Sequence, residues 1–212
     1  MIKEAIEKGI SYSEYRRLVD DLLSRNLTTG LKQTSALVEF TKLNVQRMNR
    51  IDKTFSVSTD ITDRLNRIEF AQVWLLIAEA WCGDCAQNIP IIAKIAEQGS
   101  DKITLKIVGR DQLPDLMDKY LTNGARSIPK LIVLDSSSLS EIGTWGPRPK
   151  AAQQIMLNWK ANKDTMSWED FEKELHLWYA RDKGNTLSNE MYDMLLKTRI
   201  VNVLMNRNLM KI

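Results

Sequence analysis

The stretch Ala80-Trp81-Cys82-Gly83-Asp84-Cys85 decides the fold, because it holds both cysteines of this 212-residue chain, three positions apart. Residues 70–78, just upstream, are rich in aliphatic and aromatic side chains, a run typical of a buried strand and too short for a membrane span. Downstream, apolar residues at positions 89, 92, 93 and 96 follow helical spacing until Gly99. The sequence therefore predicts a strand, a Cys-x-x-Cys pair and a helix, in that order.

This order has a chemical consequence for the two thiols. The first turn of a helix offers backbone N–H groups without intrahelical partners and the positive end of the macrodipole, and both stabilise a thiolate. Residues i and i+3 lie on one face, so two sulfurs there can close a small disulfide while the first remains open to attack. Cys82 is therefore the candidate nucleophile and Cys85 the candidate resolving thiol.

Two groups of residues resemble the thioredoxin family. The first is the motif itself, with Trp81 before the first cysteine, Gly83 after it and Pro90 in the following helix. The second is Ile128-Pro129, which opens the apolar stretch 130–134 as the family's Ile-Pro opens a strand. The resemblance implies that this proline is cis and that its loop packs beside the sulfurs.

The resemblance covers roughly residues 60–161 and implies an α/β fold, a thioredoxin-like mixed sheet sandwiched by helices. The patterns along these residues predict the order β-α-β-α-β-β-α, with a right-handed crossover between parallel strands. We divide the chain into an N-terminal helical extension (1–58), a thioredoxin-like domain (59–163) and a C-terminal helical extension packed on the core (164–212).

The two extensions are predicted from helix-capping patterns and apolar stripes. Ser11 with Glu14 forms a capping-box pattern, and Ser167 precedes a second predicted helix start. Residues 189–206 predict a further helix with Met191, Met194, Leu195 and Leu204 on its apolar side. Such helices serve either as structural extensions of the core or as a module for partner docking and dimerisation.

Two positions depart from the commonest thioredoxin pattern. Asp84 stands where proline is usual, and Leu76 stands where the family often has a buried aspartate. Glu79 is a possible substitute for that aspartate in proton transfer. We expect the Asp84 carboxylate to be exposed to solvent, either as a substrate contact beside Cys82 or as an acid favourable in the first turn of a helix.

The resemblance also implies a set of substrate contacts around the cysteines. The backbone at residues 126–129 is expected to hold an extended substrate segment by strand-like hydrogen bonds. Trp145 lies in a Gly- and Pro-rich loop, 143–149, that either walls the substrate groove or is a stiffened turn. The predicted substrate-binding residues are Trp81, Gly83, Asp84, Ser127, Ile128, Pro129 and Trp145.

Composition narrows the class of partner and the compartment. Thirty Lys and Arg against 27 Asp and Glu give a net charge of +3, too small and too interspersed to favour nucleic acid or an anionic membrane. The N-terminus has no apolar region typical of a secretory signal, which predicts a cytoplasmic location. In that compartment a lone Cys-x-x-Cys is more often catalytic than structural.

His176, the single histidine, is predicted on a remote helix in a surface or packing role, so we expect no metal site.

The residues and the resemblance together predict a thiol–disulfide oxidoreductase that contributes to cell redox homeostasis and needs no cofactor. Its expected partners are protein disulfides and an unidentified thiol or reductase that donates electrons. Two alternatives stay open: a redox-responsive binding protein that uses the pair as a switch, and a dimer that shares an iron–sulfur cluster. The sequence does not determine the oligomeric state.

Overall fold

One mixed sheet organises the molecule. The computed structural model describes the backbone of residues 1–209 and the side chains of residues 1–197. Its strands are β1 (Gln72–Ala78), β2 (Ile103–Gly109), β3 (Lys130–Asp135) and β4 (Glu141–Trp145). The spatial order is β2-β1-β3-β4, in which β1 and β2 are parallel while β3 is antiparallel to both β1 and β4. The predicted α/β class and element order are confirmed.

Helices precede, connect and follow the strands. They are α1 (Ile2–Lys8), α2 (Tyr12–Ser24), α3 (Ser35–Thr54), α4 (Thr59–Leu65), α5 (Gly83–Gln98), α6 (Pro114–Met117) with a 3-10 turn (Asp118–Tyr120), α7 (Lys150–Ala161), α8 (Trp168–Asp182) and α9 (Asn185–Leu209). The capping box of Ser11 and Glu14 is present, and Ser167 caps α8. The side chain of Leu204, predicted on the apolar side of α9, lies outside the described residues.

Burial explains the composition of the central elements. Every residue of β1 is buried, as expected for a strand with neighbours on both edges and helices over the sheet. The helix α5 packs against both β2 and α3, so most of its length from Asp84 to Ala96 is buried. This double cover is the reason that α5 carries apolar residues beyond a single stripe.

A second, smaller apolar cluster joins α7 and α8. Its buried members are Ala152, Ile155, Phe171, Leu175 and Tyr179.

At the far end of β4, the Trp145 indole N–H donates to the Glu190 carboxylate at 2.6 Å, which ties the strand to α9. The division into three parts remains a prediction, although α3 and α8 both contact the helix that carries the cysteines.

Within residues 1–209, no helix combines the length and the apolar character needed to cross a bilayer.

Candidate active site

The two cysteines occupy different environments at the start of α5. Cys82 is the N-cap residue, with extended backbone at φ −81° and ψ 121°, and its carbonyl accepts the Ala86 N–H at 3.1 Å. Its side chain is half-buried, whereas Cys85, one turn on, is 1% exposed. Both are free thiols. The accessible sulfur is therefore the first one, at the unpaired N–H groups of the helix.

The proline loop lies against the accessible sulfur. The Ile128–Pro129 peptide is cis, as the resemblance implied, and the Cys82 thiol donates to the Ile128 carbonyl at 3.4 Å. A second cis bond, Gly146–Pro147, was not expected from the sequence. Gly146 has φ +114°, and a Cβ there would lie 2.2 Å from the Pro129 carbonyl oxygen, so only glycine fits this approach.

Behind the accessible sulfur, Cys85 and Glu79 are both buried, and the Glu79 backbone lies within hydrogen-bonding reach of the Cys85 sulfur. Burial, reinforced by the neighbouring Cys82, raises the pKa of the Cys85 thiol well above its ordinary value. Glu79 is fully buried, and desolvation raises the pKa of its carboxyl group. Its Oε1 accepts the Asp111 N–H at 3.3 Å, while Oε2 has no hydrogen-bond partner among the described residues.

This orphaned oxygen faces a small cavity. The hydroxyl of Tyr15 is also buried without a partner among the described residues, and both side chains line a cavity of about 330 Å³. Leu76, at the position where the family often has aspartate, is fully buried in β1. The buried carboxyl group that the chain offers in place of that aspartate is Glu79, three residues further along the chain.

The expectation of an exposed Asp84 carboxylate is wrong. Asp84 is 6% exposed, because α8 and the loop before α7 cover the first turn of α5. One carboxylate oxygen accepts from Arg148, at 2.9 Å from Nε, and the other accepts the Tyr179 hydroxyl at 2.7 Å. Asn88 donates to the same hydroxyl at 3.0 Å. The charge is held in a buried ion pair instead of being screened by solvent.

The expectation that His176 is remote is also wrong. The helix α8 crosses the motif so closely that a Cβ on Gly83 would lie 2.9 Å from the imidazole Cε1. Burial, followed by repulsion from Arg47, lowers the pKa of His176 to about 4, so the ring is neutral near pH 7. In the described part of the chain, no three His, Cys, Asp or Glu side chains are grouped as metal ligands would be.

A groove of about 390 Å³ lies over the accessible thiol, and we call it the Cys82 groove. Its lining is Leu37, Phe40, Arg47, Trp81, Cys82, Gly83, Asp84, Arg110, Arg126, Ser127, Ile128, Arg148, Met156, Trp168, Phe171, Glu172, Leu175 and His176. Of the predicted contacts, Trp81, Gly83, Asp84, Ser127 and Ile128 line it directly, and Pro129 is buried next to Ile128. Trp145 is the predicted contact that the structure does not bring into this group.

Sequence reasoning missed the residues that α3, α8 and the loop before α7 bring to the cysteine motif. Arg148 had one usable clue, since it stands between two prolines in the Gly- and Pro-rich loop 143–149. Tyr179 belongs to a stripe with Phe171 and Leu175 whose spacing predicts only burial. Arg47 had no clue, because an arginine on an amphipathic helix is ordinarily solvated.

A Cys-x-x-Cys helix start beside a cis-proline loop on such a sheet places the molecule among thioredoxin-fold dithiol proteins. Comparison with known proteins goes further: residues 30–166 match a family model described as thioredoxin. The chain therefore belongs to the thioredoxin family. This membership supports a general role in thiol–disulfide exchange.

The curated relatives share modest identity with parts of the chain. Thioredoxin of Bacillus subtilis is 28% identical over 107 residues, which span 50% of this chain and 90% of that protein. Thioredoxin 1 of Synechococcus elongatus is 38% identical over 53 residues, 25% of this chain and 47% of that protein.

Two solved structures share the fold along nearly all of the chain. A protein of unknown function from Pseudomonas aeruginosa has a TM-score of 0.60 at 18% identity, covering 94% of this chain and 97% of its own. An HIV epitope scaffold has a TM-score of 0.58 at 18% identity, covering 91% and 96%. The shared architecture therefore extends beyond the residues that match thioredoxin.

Proposed function

We propose that the protein is a thiol–disulfide oxidoreductase that exchanges the Cys82–Cys85 dithiol with disulfides in protein substrates. The observation that carries the proposal is the asymmetry of the pair. Cys82 is accessible, caps the helix and lies 3.4 Å from the Ile128 carbonyl, while Cys85 is buried one turn away. An accessible first sulfur with a shielded second one suits stepwise exchange.

In the first step, the Cys82 thiolate attacks one sulfur of the substrate disulfide. A new S–S bond joins Cys82 to the substrate, and the other substrate sulfur leaves as a thiolate that takes a proton from water. The unpaired N–H groups at the start of α5 stabilise the attacking thiolate. The Ile128 carbonyl accepts a hydrogen bond only from the protonated thiol, so this contact ends when the proton leaves.

In the second step, Cys85 loses its proton and attacks the Cys82 sulfur of the mixed disulfide. The second substrate thiolate leaves and is protonated, so the substrate gains two electrons and two protons while Cys82–Cys85 becomes a disulfide. The high pKa of the buried Cys85 thiol makes a proton acceptor useful. We assign that role to the Glu79 carboxylate, because the Glu79 backbone lies within hydrogen-bonding reach of the Cys85 sulfur.

The substrate segment is proposed to run past the proline loop. Ser127 and Ile128 line the groove beside Cys82, and backbone groups there can pair with an extended chain. Backbone pairing depends little on side chains, which suits several protein substrates. An external thiol or a reductase would return the oxidised pair to the dithiol, in a reducing compartment such as the cytoplasm.

Turnover tests the proposal. The protein at catalytic concentration is mixed with an excess of a disulfide-bonded peptide and with dithiothreitol as the electron donor, and released peptide thiol is measured. We expect many equivalents of thiol per protein molecule, above the rate with dithiothreitol alone. A single equivalent, accompanied by altered binding of a partner, would instead identify a redox-responsive sensor.

A further inference from the structure

The Cys82 groove is rich in guanidinium groups. Among the described residues, four arginines line it, and three of them already have carboxylate partners within the protein. These ion pairs are Arg110 with Asp111, Arg126 with Asp118, and Arg148 with Asp84. Arg110 additionally lies over the Trp81 ring, 4.8 Å from its centroid. The positive charge of these three groups is therefore compensated before any substrate arrives.

Arg47 is different from the other three. It projects from α3, it is half-buried, and no carboxylate lies within 4.0 Å of it in the described part of the chain. Burial, together with repulsion from Arg50, lowers the pKa of its guanidinium. A partly desolvated cation with free N–H groups favours the binding of an anion. A carboxylate would accept the hydrogen bonds that water no longer accepts from the guanidinium.

The guanidinium is held in position by a buried amide. Arg47 Nη1 donates to Asn44 Oδ1 at 2.7 Å, and the Asn44 Nδ2 donates to the Ala80 carbonyl at 2.8 Å. Asn44 is fully buried. Because Ala80 begins the cysteine motif, this pair of hydrogen bonds fixes Arg47 relative to the reacting sulfur.

Arg47 also lies beside the path that a substrate must follow. A Cβ on Gly83 would be 3.4 Å from Nη1, so the guanidinium borders the residue that follows Cys82. Glu172, the remaining acid of the groove, attracts Arg47 from α8 without reaching ion-pair distance. The rim bears two large apolar side chains, Phe40 and Trp168, that are 41% and 49% exposed.

We infer that Arg47 is a specificity-determining residue that binds a carboxylate next to the disulfide of the substrate, so that the protein prefers acidic protein segments. This inference rests on the proposed oxidoreductase function and deepens it. Arg47 would pair with an Asp or Glu that flanks the attacked cysteine, while apolar neighbours pack on Phe40 and Trp168. A guanidinium fork suits a carboxylate because two parallel N–H groups meet its two oxygens.

Three disulfide-bonded peptides test the inference. They are identical except for the residue after the attacked cysteine, which is Glu, Gln or Lys, and kcat/KM is measured with dithiothreitol as the electron donor. Each value is divided by the rate constant for dithiothreitol alone, which removes the intrinsic effect of the charge on the disulfide. We expect the Glu peptide to exceed the Gln peptide about tenfold, a factor typical of one charge-assisted hydrogen bond, with the Lys peptide slowest.

Variants of α3 locate the effect. Arg47→Gln should reduce the Glu peptide to the level of the Gln peptide, and Arg47→Lys should recover only part of the preference because it lacks the fork. Arg50→Gln is the matched control: it removes the same charge from the same helix, but Arg50 does not line the groove, so the tenfold preference should persist.

Glu172→Gln leaves Arg47 intact and removes its competing acid, so it should increase the preference about twofold to threefold.

Each contrary result has a separate meaning. Equal normalised rates for the three peptides, or a preference that survives Arg47→Gln, would overturn the inference and leave the oxidoreductase function standing. A preference that Glu172→Gln does not raise would also count against it, independently of whether Arg47→Gln folds. The absence of turnover with every peptide would overturn the proposed function itself.

Discussion

The two sides of the cysteine pair are built on different principles. Behind Cys85, the residue after β1 and the helix α2 contribute Glu79 and Tyr15, whose side chains are both buried. In front of Cys82, the helices α3 and α8 provide arginines, aromatic rings and a neutral imidazole around an open groove. Burial raises the pKa of Cys85 and Glu79 in the rear environment, because it penalises the charged forms, whereas the front environment can receive charge.

Attack and resolution can therefore be altered separately by substitutions on the two sides of the pair. A single turn of α5 separates an attacking sulfur from a resolving sulfur, and their surroundings come from different parts of the chain. Changes behind the pair should therefore affect resolution, and changes in front should affect attack, substrate choice or the stability of the cover.

The largest expected effect distinguishes the two sulfurs. Cys82→Ser should abolish disulfide reduction, because the accessible nucleophile is lost. Cys85→Ser should retain attack and accumulate a mixed disulfide, because only resolution is lost. Non-reducing electrophoresis and mass spectrometry after incubation with a disulfide substrate measure both outcomes. If the mixed disulfide accumulated on Cys85 in the Cys82→Ser variant instead, the assignment of roles would be reversed.

The next effect concerns the cover over Asp84. Arg148→Gln should lower the free energy of unfolding by about 3–5 kcal/mol, because it leaves a carboxylate buried without its cationic partner. Urea denaturation measures the change. The double variant Asp84→Asn with Arg148→Gln is the control, since it removes both charges and should recover much of the loss. A single variant as stable as the parent would show that water replaces the guanidinium freely.

A smaller effect is expected behind the pair. Glu79→Gln should slow resolution by about a hundredfold near neutral pH, the lower end of the range for general base catalysis. The defect should shrink at alkaline pH, where Cys85 ionises without help. Single-turnover release of the second substrate thiol, measured against pH, reports this step.

The control for that experiment is Tyr15→Phe. It removes a buried hydroxyl from the same cavity without removing the carboxyl group, so the rate of resolution should remain unchanged. A pH-independent defect in Glu79→Gln, or an equal defect in Tyr15→Phe, would indicate a packing role for the cavity.

The smallest effect comes from the imidazole over Gly83. The pKa of His176 falls from 6.5 when unfolded to about 4 when folded, so between these values the unfolded chain binds a proton that the folded chain does not. The contribution to stability is therefore complete above pH 6.5 and is lost as the pH falls toward 4. The shift sets an upper bound of about 3 kcal/mol, and partial exposure reduces this to about 1–2 kcal/mol.

Urea denaturation at pH 7 and pH 4 for the parent and for His176→Gln checks this sign. Carboxylates with lowered pKa values titrate in both proteins. The change in the free energy of unfolding between pH 7 and pH 4 is therefore compared between the two proteins, and the difference isolates the contribution of the histidine. An identical change in the free energy of unfolding in both proteins would mean that the imidazole is protonated without cost and is more open to solvent than its contact with Gly83 indicates.

The sequence alone predicted the parts of the site that depend on neighbours along the chain. The buried strand, the start of α5 at Cys82 and the capping box of Ser11 with Glu14 are local patterns, and the structure contains all of them. The cis bond before Pro129 was predicted from the family resemblance, and it is present. Such features follow from the spacing of side chains and from backbone hydrogen bonds within a few residues.

By itself, then, the sequence determined the α/β fold, the cysteine pair and which of its two sulfurs is accessible. Only the tertiary structure decided what surrounds them. The partners of Asp84 are Arg148 and Tyr179, 64 and 95 residues away, and His176 reaches Gly83 from α8, the helix that also carries Tyr179. A charge pattern read along the chain cannot tell a solvated carboxylate from a buried one, because the penalty for burial and the ion pair that offsets it both arise only when segments distant in the sequence pack together.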